Sequence, residues 1–94
     1  MEKDVIMKDI VRIIKDMTSD FDTEYSDEIG TNTYLVSNLD FESVDIIELM
    51  TEIEKFYNRR KLPFQKLVVK DGRYRDFTVG ELVDFLYKYL NDNQ

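Results

Sequence analysis

A chain of 94 residues with a formal net charge of −7, no cysteine and no histidine is expected to form a single domain over 1–94 that buries about 60–70% of the surface exposed by its unfolded form. The missing residue types take away disulfides, thiolate and imidazole chemistry and the usual zinc ligands, so neither an enzyme nor a metal site is expected. The acidity speaks against nucleic acid, and with no basic-then-apolar leader after Met1 and no apolar run near the roughly 20 residues of a membrane span, a cytoplasmic monomer is expected.

From about Asp4 to Met17 the apolar residues Ile6, Ile10, Ile13, Ile14 and Met17 recur at helical spacing, with Met7 and Val11 broadening the stripe. This pattern predicts an amphipathic first helix that packs inward. Residues 18–42 form a long connection in which Phe21, Tyr25, Ile29, Tyr34, Leu35, Leu39 and Phe41 are spaced to pin it onto the core, with Thr31 capping a short turn. Asp20-Phe21-Asp22-Thr23-Glu24 invites comparison with a calcium loop, but Tyr25 stands where glycine is needed and Thr31 where the bidentate glutamate is needed.

The second helix is expected from Ser43 to about Asn58. Setting each residue 100° on from the last places Ile46, Ile47, Met50, Ile53 and Tyr57 on a core face with Leu49 and Phe56 at its edge. Asp45, Glu48 and Glu52 fall together on the opposite side, beside an outward Val44. Ser43 stands where the helix begins, and an ordinary capping serine is one role for it. Next, Pro63 suits the first turn of a short helix through about Val68. A loop turning at Asp71-Gly72 is expected after it, the alternative being a small hairpin between Leu67-Val69 and Arg73-Phe77. The last helix is signalled by the capping box Thr78-Val79-Gly80-Glu81 and by Val79, Leu82, Val83, Leu86, Tyr89 and Leu90, ending at Asn91 before a frayed tail. Gly80 in its first turn costs about 1 kcal/mol of propensity relative to alanine.

Charge is segregated along this order. There is no Lys or Arg between Lys15 and Lys55, while Asp16, Asp20, Asp22, Glu24, Asp27, Glu28, Asp40, Glu42, Asp45, Glu48, Glu52 and Glu54 all lie in that interval. Residues 59–75 reverse the sign, with Arg59, Arg60, Lys61, Lys66, Lys70, Arg73 and Arg75 against Asp71 alone. Such separation favours selected partners beyond any attraction within the molecule.

Leu39-Asp40-Phe41-Glu42-Ser43-Val44-Asp45 followed by Glu48-Leu49, with Thr31, Leu35 and Leu39 before it and Thr78-Val79-Gly80-Glu81-Leu82-Val83 after it, resembles the acyl carrier proteins. The resemblance implies an all-α fold, a small four-helix bundle of three longer helices and one short one with a long first loop. It implies that Ser43 carries a covalent 4′-phosphopantetheine arm. On that arm the chain would deliver thioester-linked acyl intermediates to enzymes of fatty-acid, polyketide or related biosynthesis. It also implies that Val44, Asp45, Glu48 and Glu52 meet a phosphopantetheinyl transferase and acyl-processing enzymes through transient electrostatic contacts. An apolar groove beneath the second helix, lined by Ile47, Ile53, Leu62 and Val83 among others, would be placed to shelter a short acyl chain, although core packing accounts for the same residues at least as well. The sequence departs from the family at Asp40, where glycine is usual, at Glu42, where aspartate is usual, and in the long basic segment 59–77, which points to a specialised member. A peptidyl or aminoacyl carrier and an unmodified acidic interaction module are the alternatives.

Overall fold

The computed structural model describes residues 1–19 and 28–91. The chain is mostly helical: α1 (Lys3–Thr18), α2 (Ser43–Tyr57), the one-turn α3 (Gln65–Val68) and α4 (Val79–Leu90), with a two-stranded antiparallel sheet of β1 (Val69–Lys70) and β2 (Arg73–Tyr74) between α3 and α4. The Asp20–Glu24 segment, Phe21, Tyr25 and the tail 92–94 lie outside the described residues. No described helix is long and apolar enough to cross a membrane.

α1 packs against both α4 and α2. Ile6, Ile10 and Ile14 supply its fully buried row, one residue per turn, while Met7, Ile13 and Met17 lie partly buried at the sides. In α4 the buried set is Val79, Leu82, Val83, Phe85 and Leu86, and Phe85 stacks on Phe64 with ring centroids 5.2 Å apart. The expected capping box forms: Thr78 Oγ1 accepts the Glu81 N–H at 3.0 Å, and Glu81 Oε1 accepts the Thr78 N–H at 2.9 Å. Tyr57 links α2 to α1, its hydroxyl donating to Asp9 Oδ2 at 3.0 Å. Burial, and then this bond to a carboxylate, push the phenol above its ordinary pKa.

The connection after the undescribed segment is sewn to the start of α4. Leu35 N–H donates to Phe77 O at 3.1 Å, Val79 N–H to Thr33 O at 2.9 Å and Gly80 N–H to Thr31 O at 2.9 Å. Asp76 clamps the same loop, accepting from the N–H groups of Val36 (2.9 Å), Ser37 (3.0 Å) and Phe77 (2.9 Å) and from the Ser37 hydroxyl (2.7 Å). Partial burial raises the Asp76 carboxyl, but these four donors outweigh it and leave the pKa below the ordinary aspartate value. Anchored in this way, Leu35, Leu39 and Phe41 enter the core as expected. The turn itself uses Thr33 and not Thr31, because the Thr33 hydroxyl accepts the Gly30 N–H at 2.9 Å while the Thr31 carbonyl is taken by α4.

Two further expectations need correction. The first is the α2 core face, which is centred on Leu49, Met50 and Ile53; Ile47 is 66% exposed, Phe56 is exposed and Ile46 is only partly buried. Apolar residues cover more than half of this helix's circumference, so spacing alone left the face free to rotate, and packing chose Leu49. The second is the segment after α3, which is a hairpin and not a loop. Asp71 (φ 54) and Gly72 (φ 77) both take the left-handed backbone that a two-residue type I′ connection requires, a geometry aspartate tolerates and glycine adopts freely.

Candidate functional site

The start of α2 is built by residues on either side of Ser43. Phe41, nearly fully buried, fixes the approach through its N–H bond to Leu35 O at 3.1 Å. Asp40 then takes a left-handed backbone (φ 60), the conformation in which glycine is least strained. Glu42 is the N-cap residue, and its N–H is accepted by Asp45 Oδ2 at 2.8 Å. Ser43 is therefore the first residue inside the helix and does not cap it.

That one-residue shift leaves the Ser43 hydroxyl outside the helix cap. Among the described serines, Ser19 donates to Asp16 O at 2.9 Å and Ser37 to Asp76. Ser43 is exposed, and its hydroxyl makes no hydrogen bond among the described residues. It stands at the positive end of a 15-residue helix, where first-turn N–H groups lack intrahelical partners and an anion is favoured.

The residues around it divide into two kinds. Val44, 65% exposed, and Ile47 one turn on make an apolar patch facing water, with Glu48 exposed beside them. Glu52 lies half-buried a further turn along and pairs with Lys55 at 3.8 Å. Asp45 belongs to the cap as much as to the surface. Reasoning from spacing put Val44 and Glu48 on the exposed side, where they lie, but put Ile47 on the core face and did not foresee that Asp45 bonds to the Glu42 N–H. The exposed position of Ile47 was not legible because its helical wheel position borders both faces. Of the two readings of Ile47, Ile53, Leu62 and Val83, core packing holds for the last three, which are buried, while Ile47 is exposed and lines no groove with them.

The basic segment is partly consumed by the fold. Arg59 donates to the carbonyls of Leu90 (3.3 Å) and Tyr89 (3.1 Å), closing the C-terminal end of α4, where cations are favoured. Arg75 donates from Nε to Leu67 O at 3.0 Å and pairs with Glu81. Arg60, Lys61, Lys66, Lys70 and Arg73 are exposed. No group of three or more metal-ligating side chains occurs among the described residues. Compared with known proteins, the chain matches no family model, no curated protein and no solved structure.

Proposed function

We propose that this chain is a carrier domain that holds a 4′-phosphopantetheine arm on Ser43 and presents thioester-linked acyl intermediates to partner enzymes. The observation that carries this reading is the free, exposed Ser43 hydroxyl at the first position of α2, with capping left to Glu42 and Asp45. Three longer helices and one short one, in the order that the resemblance to acyl carrier proteins implies, support it. So does the left-handed Asp40, which stands where that family usually has glycine. The chain has no thiol of its own, and the arm would bring one when bound. Ser43 needs no internal base, because a separate transferase would activate it. What this chain's residues do is hold the attachment oxygen at a fixed point, keep it exposed and offer Val44, Ile47 and Glu48 for docking. Tethering converts each encounter of intermediate and enzyme into a nearly intramolecular one.

Incubation with coenzyme A, magnesium and a broad-specificity phosphopantetheinyl transferase, followed by intact-mass measurement, tests the reading. One phosphopantetheine increment is expected on the wild type and none on Ser43→Ala. An unmodified wild type with a correctly folded spectrum would leave an acidic interaction module as the better description. Glu48→Lys should slow the modification at low salt and leave the fold intact, since rim charges act mainly on association rate.

A further inference from the structure

We propose that the chain associates weakly with a second copy of itself, the cationic face of one molecule's β1–β2 hairpin docking on the acidic face of the other's α2. The antiparallel register puts Lys70 directly opposite Arg73. Like charges directly opposite one another weaken a two-stranded ribbon, and among the described residues neither enters an ion pair. Arg59 and Arg75 of the same basic segment are bound to carbonyls and to Glu81, so the fold uses its cations where it needs them. The hairpin pair serves nothing inside the molecule.

The chain itself carries the complement. Directly opposed strand residues have Cβ atoms about 4.5–5.5 Å apart, and residues four apart on a helix about 5–6 Å. Lys70 and Arg73 therefore match the spacing of Glu48 and Glu52; Glu48 is exposed and in no ion pair among the described residues, whereas Glu52 is partly exposed and shares its carboxylate with Lys55 at 3.8 Å, an exposed pair that a docking cation can displace. No ion pair joins the two faces within one molecule among the described residues. Tyr74, 86% exposed, lies on the ribbon's other face and takes no part.

Each copy carries −7, so copies repel one another at low salt. That repulsion reaches about 30 Å at 0.01 M salt but only about 8 Å at 0.15 M, whereas pairs in contact are screened less. The association is thus weak and belongs to high protein concentration, in keeping with a monomer when dilute. The two patches differ, so the contact is heterologous and either closes reciprocally into a dimer or extends into chains. It does not depend on the carrier reading, although it would compete with partner enzymes for the same α2 face.

Sedimentation velocity up to about 1 mM protein in about 0.1 M NaCl tests the proposal, with far-UV circular dichroism confirming each fold. The wild-type sedimentation coefficient should rise with concentration, and the rise should vanish at about 1 M NaCl. Lys70→Glu/Arg73→Glu and Glu48→Lys/Glu52→Lys should each stay monomeric alone. Mixed in equal amounts they should form a one-to-one complex, because one native hairpin and one native α2 face remain. If either double variant misfolds, Arg73→Glu and Glu48→Lys carry the same comparison. A wild type that stays monomeric throughout, or variants that associate as it does, would overturn the proposal. Monomeric wild type that binds a short oligouridine through Lys70 and Arg73 would replace it with a nucleic-acid contact.

Discussion

Replacing Gly80 by alanine sets helix propensity against tertiary packing. In an unhindered helix position the change would stabilise by about 1 kcal/mol. Here the added Cβ would lie 2.6 Å from Thr31 Cγ2 and 2.9 Å from Thr31 O, well inside the 3.5–4.0 Å at which nonbonded carbons attract. The threonine methyl can rotate away. Its carbonyl cannot, because it already accepts the Gly80 N–H at 2.9 Å and the next bond of the seam, Val79 N–H to Thr33 O at 2.9 Å, holds the same segment. The loop must therefore move off α4. Weakening two backbone bonds, each contributing about 0.5–1.5 kcal/mol net, adds to an overpacking cost of about 1–3 kcal/mol. After subtracting the propensity gain, Gly80→Ala is expected to destabilise by about 1–5 kcal/mol, the upper end applying only if both bonds are lost. At about 4–8 °C per kcal/mol for a domain of this size, Tm should fall by at least roughly 4 °C and by up to roughly 40 °C. Thermal unfolding followed by far-UV circular dichroism measures it, and Thr31→Ser in the Gly80→Ala background should recover part of the loss by removing the methyl contact. A Gly80→Ala protein as stable as the wild type would refute the reasoning and show that the loop is not fixed against α4.

Three further outcomes are expected. In α2, Leu49→Ala should cost about 2–5 kcal/mol in urea unfolding as a core truncation, while Ile47→Ala stays within about 0.5 kcal/mol; equal losses would contradict the orientation of the helix. At its N-terminus, Asp45→Ala should cost about 1 kcal/mol by removing the acceptor for Glu42 N–H, whereas Ser43→Ala should change stability by less than about 0.5 kcal/mol. A large loss on Ser43→Ala would mean that the serine caps after all. The carboxyls of Asp76 and Glu81 both lie below their ordinary pKa values: partial burial raises each, but donors outweigh it, chiefly the Ser37 hydroxyl for Asp76 and Arg75 for Glu81. A depressed pKa contributes stability that is present above the unfolded value and lost as pH falls through the folded one. Tm should accordingly decline as pH drops below about 4, and Asp76→Asn should lower Tm at neutral pH and flatten that decline; an unchanged slope would show that the clamp contributes nothing.

The parts of the fold legible from sequence were those with redundant signals. α1 and α4 combine a single apolar stripe with, in α4, a capping box, and both ends of α4 fell where those signals put them. α2 was legible as a helix but not in its rotation, since Val44, Ile46, Ile47, Leu49, Met50, Ile53, Phe56 and Tyr57 leave no single obvious stripe. The hairpin had its Asp-Gly turn signal, but strands of two residues are too short for alternation to favour them over a loop. The role of Gly80 was half legible: its propensity cost is local, whereas the contact that requires it comes from Thr31 far along the chain. At the candidate site, spacing could put Ser43 at the helix start but could not separate the capping position from the one after it. The first helical bond, from Ile46 N–H to Glu42 O, and the bond from Glu42 N–H to Asp45 do that.

That single-residue distinction has a mechanical consequence. The hydroxyl oxygen of a capping serine accepts a first-turn N–H of the helix, so modifying it would destabilise its own support by about 1 kcal/mol. With Asp45 accepting Glu42 N–H and Phe41 anchored to Leu35, the helix start is held without any contribution from the Ser43 side chain. Asp76 extends the same support backwards by fixing Val36 and Ser37, and the Thr31 and Thr33 carbonyls fix the loop to α4. The Ser43 hydroxyl therefore stands at a point fixed by its neighbours while taking no part in fixing it. If the carrier proposal holds, a bulky anionic substituent on Ser43 would be gained or lost with little change in stability.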